Sequence, residues 1–177
     1  MKRQGGKNSF AFAITINWCH GLCRRLCCFL DILGFRNYIN KNTQDKDEIK
    51  KVFSSIENVK EFFNNNSEMG IKAAFFSDSI VLSSENNLYS FLFPIDIIEY
   101  VINSELGLLL RGSIVKGEYY HENNIAFGPA VIEAYNVQEK AVTSRIVVKS
   151  DNIVGSLEFF KDIDGEMCVN PYSKMYR

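Results

Sequence analysis

Two aspartates, Asp31 and Asp78, each interrupt an otherwise apolar stretch of this chain. Asp31 lies within residues 27–35, which read Cys-Cys-Phe-Leu-Asp-Ile-Leu-Gly-Phe, and Asp78 lies within residues 73–82. Such stretches are typical of strands that are covered on both faces. An ionised carboxylate is costly there unless a cation pairs with it. A divalent metal that carries a nucleotide triphosphate would supply that charge, because hard cations prefer oxygen ligands.

The composition is typical of one globular domain. The 177 residues are 46% apolar and 23% charged, which is enough for a single domain with its own core. The 20 basic and 21 acidic residues leave a net charge of −1. A surface that binds nucleic acid usually brings a basic excess, so we do not expect a nucleic acid polymer as a partner.

Four of the five cysteines lie between Cys19 and Cys28, which raises the alternative of a zinc site. No second Cys or His pair follows at a usable spacing, since His121 and Cys168 stand alone. Buried free thiols in a reducing cytoplasm are therefore favoured.

The N-terminus has the charged-then-apolar order of a short signal peptide, but no small-residue cleavage site follows it. No other stretch approaches the ~20 apolar residues that span a bilayer. We expect a cytoplasmic protein with no membrane partner, in which residues 1–25 form a divergent N-terminal segment.

Hydrophobic periodicity predicts the elements that would position the two aspartates. Strands are predicted over residues 26–32, 71–76, 79–83, 108–116 and 142–148. Helices are predicted over residues 35–40, 45–64, 88–106 and 129–141, the last beginning at a proline, which prefers the first helical position. Residues 121–124 are predicted to form a polar turn, and residues 154–172 mix helix and hairpin signals.

This order predicts an α+β, ferredoxin-like fold, with a mostly antiparallel central sheet and helices packed on one face. In such a sheet the first strand and the following hairpin lie side by side at the centre. Asp31 at a strand end and Asp78 at the hairpin turn would then converge, as a two-metal phosphoryl-transfer site requires.

At these residues the chain resembles the catalytic domains of class III nucleotide cyclases. That family closes its first strand with Asp-x-x-Gly-Phe, which residues 31–35 match, and its hairpin aspartate is matched by Asp78. Residues 110–114 approximate its Arg-x-Gly strand, and residues 127–131 match its Phe-Gly-x-x-Val helix start. The resemblance implies that residues 26–177 form a nucleotide cyclase domain with the class III fold.

A subgroup, the pyrimidine nucleotide cyclases of the Pycsar antiphage system, is more similar still. Its members carry Phe-Leu-Asp-Ile-Leu-Gly-Phe, Phe-Ser-Asp-Ser-Ile and Phe-Gly-Pro-Ala-x-Ile-Glu-Ala-Tyr, which stand here at residues 29–35, 76–80 and 127–135. The resemblance implies a homodimer that converts UTP, or alternatively CTP, to a 3′,5′-cyclic messenger. A separate effector would read that messenger in antiphage defence.

The resemblance also implies roles for individual residues. Two Mn²⁺ or Mg²⁺ ions would be held by Asp31, Asp78 and the backbone carbonyl of Ile32. The triphosphate would be bound by the backbone of Gly34, Phe35 and Arg36 at a helix start and by the guanidinium of Arg111, and Tyr38 could stack on the base. Each side chain also has an ordinary alternative: Asp31 as a helix N-cap, Asp78 as a turn residue, Arg111 as the partner of a carboxylate, and Tyr38 as an exposed helix residue.

The departures from the family restrict its implications. Purine cyclases carry a base-reading lysine and aspartate where this chain has Ala74 and Ile125, which favours a smaller base. The transition-state Asn and Arg of the family are replaced by Ile132 and Asn136, so that the charge would have to come from elsewhere, with Arg145 and Lys161 as the candidates.

Three alternatives remain. One is a degenerate domain that binds nucleotide without turnover, and another is a purine cyclase with unusual base contacts. The third is a diguanylate cyclase, whose Gly-Gly-acid-acid-Phe hairpin is missing at Phe76-Ser77-Asp78-Ser79.

Overall fold

The computed structural model describes residues 22–85, 88–140, 143–149 and 160–170. The strands are β1 Cys23–Leu33, β2 Ile71–Phe76, β3 Ser79–Ser84, β4 Leu109–Glu122, β5 Ile125–Phe127, β6 Ile146–Lys149, β7 Phe160–Ile163 and β8 Glu166–Val169. The α-helices are α1 Phe35–Asn42, α2 Lys46–Asn65, α3 Leu92–Leu106 and α4 Pro129–Lys140. Short 3-10 helices cover Ser67–Met69 and Leu88–Phe91. None of the helices in these ranges is long and apolar enough to cross a bilayer.

The strands form one sheet in the order β2-β3-β1-β4-β6-β8-β7, and β5 pairs with the end of β4. Every pairing is antiparallel except that of β4 with β6. β1 lies between β3 and β4 because it is apolar on both faces, as a central strand must be. The predicted α+β fold with a mostly antiparallel sheet is confirmed.

One face of the sheet packs against the first three helices. Alternate residues of β1, among them Cys28 and Leu30, lie in a core with the apolar faces of α2 and α3. Asp45 caps α2, since its carboxylate accepts hydrogen bonds from the backbone N–H groups of Asp47 and Glu48 at 3.0 and 3.2 Å.

α4 lies on the opposite face of the sheet, so the prediction that all helices pack on one face is wrong. Its Ala130 and Ala134 pack against Cys27 and Phe29, which alternate along β1 with the residues of the first core. The approach is close, because a Cβ at Gly117 of β4 would lie 3.1 Å from the Ala130 Cβ. Small residues on both elements therefore hold α4 directly over β1 and β4.

Cys27 and Cys28 do not share a metal. They are successive residues of β1, so their side chains point to opposite faces of the sheet, and both are fully buried. Burial raises the pKa of the Cys27 thiol to about 12, and it raises the pKa of Cys28 as well. Buried thiols are thus favoured for these two residues, whereas Cys19 and His20 lie outside the described residues.

Several predicted boundaries differ from the structure. β1 begins at Cys23, earlier than predicted, because Cys23–Arg25 pair with residues of β4. β6 begins only at Ile146, while Ser144 and Arg145 precede it as a bend and coil. Within the segment with mixed helix and hairpin signals, residues 160–169 form the β7–β8 hairpin, whereas residues 154–159, 171 and 172 lie outside the described residues.

His121 lies in a strand, not in the predicted polar turn. β4 continues to Glu122 because Tyr119 and His121, two positions apart, both point inward, and they are 1% and 4% exposed. The His121 Nδ1 lies 2.7 Å from the Ser83 hydroxyl oxygen, and its backbone carbonyl accepts a hydrogen bond from Lys72 Nζ at 3.0 Å. Within the described part of the chain, its Nε2 is buried without a hydrogen-bond partner.

The His121 environment predicts a pH-dependent stability. Burial, assisted by the positive charge of Lys72, lowers the pKa of His121 to about 4 from its ordinary value near 6.5. Between these values the unfolded chain binds a proton that the folded chain does not, so stability falls as the pH decreases from about 6.5 to about 4. We expect His121→Gln to lose less stability than the wild type across this window, as measured by urea unfolding at several pH values. Parallel profiles would contradict this assignment.

Candidate active site

The end of β1 and the β2–β3 turn bring the two aspartates together. Asp31 pairs with Ser79 of β3 on one side and with Arg111 of β4 on the other. The backbone N–H of Ile32 donates a 3.0 Å hydrogen bond to the carbonyl oxygen of Asp78. Ser77 has a φ of 53°, a left-handed conformation that makes the hairpin turn tight and places Asp78 beside the end of β1.

Both aspartates line one cleft of about 540 Å³. The other lining residues come from the end of β1, the start of α1, and β3, β4 and α4: Phe29, Ile32, Leu33, Gly34, Phe35, Arg36, Asn37, Ser79, Arg111, Tyr135, Gln138 and Glu139. The structure therefore brings together the predicted site residues Asp31, Ile32, Asp78 and Arg111 with the Gly34–Arg36 segment.

α1 begins at the cleft wall and leaves donors free there. Gly34, its N-cap, has a φ of +82°, which favours glycine, and no described side chain caps the helix. The first backbone N–H groups of an α-helix have no partner within the helix, and here they belong to residues that line the cleft. Because these N–H groups and the helix dipole favour anions, this end of α1 suits a phosphate group.

The Asp31 carboxylate is held by two side chains at the same oxygen. Arg111 Nε donates to Asp31 Oδ2 at 2.8 Å, and Gln138 Nε2 donates to the same Oδ2 at 3.3 Å. The Asp31 and Arg111 side chains are 17% and 27% exposed, so water screens this ion pair only in part. In this structure Arg111 therefore pairs with the carboxylate of Asp31. Pairing with a carboxylate is the structural role that the sequence analysis gave as the alternative to binding a phosphate.

The remaining oxygens are open to a further ligand. Among the residues that the structure describes, none donates a hydrogen bond to Asp31 Oδ1 or forms an ion pair with the Asp78 carboxylate. No group of three or more His, Cys, Asp or Glu side chains is placed to hold a metal in the described ranges. Two carboxylates with a neighbouring backbone are a hard oxygen set, which fits Mg²⁺ or Mn²⁺ and does not fit zinc.

Tyr38 is not brought into the cleft. Its hydroxyl donates a 2.5 Å hydrogen bond to Glu48 Oε2 of α2, and its ring packs against the core on that face. The hydrogen bond to the Glu48 carboxylate raises the pKa of Tyr38 to about 12. The geometry makes Tyr38 a tie between α1 and α2, which disagrees with the prediction that it stacks on a base.

Neither the residues at the family's transition-state positions nor their proposed substitutes lie in the cleft. Ile132 and Asn136 are exposed on α4, and neither lines the cleft. Arg145 pairs with Asp164 and Glu166 of the β7–β8 hairpin at 3.4 and 3.6 Å, and Lys161 is exposed on β7. Within a single chain, the described residues therefore place neither Arg145 nor Lys161 in the cleft.

Gln138 is the cleft residue bonded to Asp31 from α4, and sequence reasoning missed it. Ala130, Ala134 and Gln138 recur every four residues on the buried face of α4. The helical repeat predicts an apolar residue at position 138, so the polar amide there was the feature of the sequence that could have identified Gln138 as a site residue.

Comparison with known proteins bears on the fold. No family model and no curated protein matches the sequence. Among solved structures, the adenylyl cyclase CyaB from P. aeruginosa superposes with a TM-score of 0.54 at 10% identity, covering 75% of this chain and 80% of that chain. The dimeric guanylyl cyclase domain of the RhoGC fusion protein from the fungus Blastocladiella emersonii gives 0.59 at 15% identity, covering 84% and 96%. This chain has the class III nucleotide cyclase fold.

A third similar structure is the guanylate cyclase domain of RhGC from Catenaria anguillulae, which was solved in complex with GTP. It superposes with a TM-score of 0.57 at 15% identity, covering 84% of this chain and 96% of that chain. The predicted class III fold is confirmed. At these identities the likeness shows the fold alone, so the chemistry rests on the cleft residues.

The placement of Tyr38 leads to a prediction for Tyr38→Phe. We expect this change to lower the free energy of unfolding only slightly, because it removes one hydrogen bond to a carboxylate that water reaches. Nucleotide affinity should stay at the wild-type value, since the ring lies outside the cleft. Urea unfolding and calorimetric titration with nucleoside triphosphates would measure the two quantities. A large loss of nucleotide affinity in a stable variant would restore the stacking role.

Proposed function

We propose that this chain is a metal-dependent nucleotide cyclase that converts UTP to 3′,5′-cyclic UMP and pyrophosphate. The observation that carries the proposal is the convergence of Asp31, Asp78 and the uncapped start of α1 in one cleft. That convergence occurs on the fold of adenylyl and guanylyl cyclases.

One set of cleft residues would bind the cations, and another set would bind the phosphate groups. Asp31, Asp78 and the backbone carbonyl of Ile32 would hold two Mn²⁺ or Mg²⁺ ions. When bound, such ions lower the pKa of a ribose 3′-hydroxyl and neutralise charge on a leaving pyrophosphate. The backbone N–H groups at Gly34, Phe35 and Arg36 would bind the triphosphate, and Arg111 would contact its oxygens.

The reaction is an internal phosphoryl transfer. The ribose 3′ oxygen forms a bond to the α-phosphorus as the bond from that phosphorus to the pyrophosphate oxygen breaks. The hydroxyl proton is lost to water, and pyrophosphate leaves with the bonding electron pair. The cleft residues contribute by fixing the triphosphate so that the 3′ oxygen is held near the α-phosphorus.

The residues at the base-reading positions support a pyrimidine. Phe76 of β2 pairs with Ser79 of β3, which in turn pairs with Asp31, so the side chains of all three lie on one face of the sheet. Ala74 is two residues before Phe76 on β2 and therefore lies on the same face as Asp31. It is 7% exposed and has no polar group, and Ile125 on β5 is equally unable to bond a purine edge. UTP is preferred to CTP on the resemblance to the pyrimidine cyclases.

We extend the proposal to a homodimer. Phe76, Ile132 and Tyr135 are exposed apolar residues on the side of the sheet that α4 covers, where they would gain from burial against a second copy. The fungal guanylyl cyclase domain from B. emersonii is dimeric. In the proposed role, the cyclic nucleotide is a messenger for a separate effector in antiphage defence.

A second candidate function is nucleotide binding without turnover. The three cleft residues that α4 supplies are Tyr135, Gln138 and Glu139, and none of them is a cation. The transition-state charge would then have to be met by Arg36, Arg111 and the metal ions. A sensor domain with this fold needs no such compensation.

Incubation with ATP, GTP, CTP and UTP in the presence of Mn²⁺, with products identified by mass spectrometry, separates the two functions. We expect cyclic UMP as the main product. Cyclic CMP would move the proposal to CTP, and a cyclic purine nucleotide would refute the pyrimidine assignment. A folded protein that binds a nucleotide but yields no cyclic product would support the sensor function.

Asp31→Asn and Asp78→Asn should each lower turnover by at least ~100-fold. Loss of a residue that only orients a metal ligand already lowers activity by up to about 100-fold, and these two residues are the proposed ligands themselves. Asparagine keeps the shape of the side chain while removing its charge. Steady-state rates at saturating Mn²⁺ and UTP measure the effect, with Glu61→Gln on the exposed surface of α2 as the control. Near-normal turnover in either cleft variant would refute the two-metal site.

A further inference from the structure

Gln138 is buried in a place where an amide is costly. The residue is 2% exposed, and it follows Ala130 and Ala134 on the face of α4 that packs on the sheet. A buried amide without a hydrogen bond destabilises the folded chain, because the amide loses its hydrogen bonds to water. The bond between Gln138 Nε2 and Asp31 Oδ2 offsets that cost, and it joins two residues that are 107 positions apart in the sequence.

The helix that carries Gln138 is anchored independently of this bond. Ser113 of β4 donates a 2.6 Å hydrogen bond from its hydroxyl to the Ala134 carbonyl. The start of α4 rests on β4, where a Cβ at Gly128 would lie 2.7 Å from the Tyr119 Cα. The Gln138 amide is therefore presented to Asp31 from a fixed position.

Arg111 donates a hydrogen bond to the same oxygen of Asp31 as Gln138 does, but its side chain is positively charged whereas that of Gln138 is neutral. Its Nε lies 2.8 Å from Asp31 Oδ2, so a full positive charge occupies the carboxylate that a divalent cation would use. The guanidinium repels that cation and competes with it, whereas the neutral Gln138 amide does neither. Both donors leave Asp31 Oδ1 without a hydrogen bond from any residue in the described ranges.

We propose that Gln138 and Arg111 set the cation affinity of Asp31 in opposite directions. Gln138 is a positioning residue that fixes the carboxylate by its Oδ2 and so presents Oδ1 to the cation. Arg111 occupies the carboxylate when no cation is bound. With a cation held at Asp31, Arg111 would leave the carboxylate, and its guanidinium would turn to the triphosphate. This inference rests on the proposed metal-dependent function and deepens it, because it makes triphosphate binding depend on prior cation binding.

The opposite signs distinguish this proposal from a purely structural role. If both side chains only stabilised the fold around Asp31, removing either one would weaken cation binding. If they act as proposed, removing Gln138 weakens binding, and removing Arg111 strengthens it in the absence of nucleotide.

The experiment measures Mn²⁺ binding to the full chain without nucleotide, by calorimetry and by the electron paramagnetic resonance signal of free Mn²⁺. We expect Gln138→Met to raise the Mn²⁺ dissociation constant about tenfold, as is usual when a residue that orients a metal ligand is lost. Arg111→Met should lower that constant by ~3-fold or more, because a repelling charge is removed. In Arg111→Met, affinity for UTP with Mn²⁺ should fall.

The control is Asn64→Met, which replaces an exposed amide on α2 that does not line the cleft, and it should leave Mn²⁺ affinity unchanged. Thermal unfolding confirms that each variant is folded. If Gln138→Met does not fold, Gln138→Asn replaces it, since the shorter amide keeps the polarity but falls short of Asp31.

The outcomes separate this inference from the proposed function. Unchanged Mn²⁺ affinity in Gln138→Met, or weaker binding in Arg111→Met, overturns the inference while Asp31→Asn still loses the ion. Wild-type Mn²⁺ affinity in both Asp31→Asn and Asp78→Asn would instead overturn the metal site itself, and the proposed function with it.

Discussion

An ionised carboxylate at the end of the central strand is the constraint on which the rest of the site depends. Asp31 is only 17% exposed, so its charge must be compensated by neighbours whose positions are fixed. The adjacent strand supplies Arg111, and a helix on the same face supplies Gln138. The close packing of α4 on β4 at Gly117 and Gly128 is therefore part of the chemistry of the cleft as well as of the core.

The backbone conformation of two turns places the remaining groups of the cleft. The left-handed Ser77 closes the hairpin so that Asp78 meets the end of β1, and the left-handed Gly34 turns the chain into α1 directly after it. Two turns of a few residues thus put a second carboxylate and a set of free N–H donors on one cleft. Cation ligands and anion donors side by side are what a bound nucleotide triphosphate with its metal ions requires.

Much of this arrangement follows from local features of the sequence. The apolar stretches around Asp31 and Asp78 predicted the strands, and the Ser77-Asp78 turn and Gly34 predicted where those strands end. The His121 turn was predicted wrongly, because a polar residue was assigned to the surface when its strand continued inward with Tyr119. Tyr38 was assigned to the base because it follows Gly34 closely, although its position on α1 directs its hydroxyl to Glu48.

The sequence by itself determined the order of the elements along the chain, the two cleft aspartates and the class of cation that their oxygens suit, although it placed the β2–β3 hairpin at the centre of the sheet, where the structure has β2 at the edge. These depend on periodicity, turn residues and side-chain chemistry, which act over a few residues. Only the tertiary structure decided that α4 covers the face opposite α2 and α3, and that Gln138 and Arg111 meet at one oxygen of Asp31. Helical periodicity shows which side of a helix is buried, but the face of the sheet that it covers depends on packing between segments far apart in the chain.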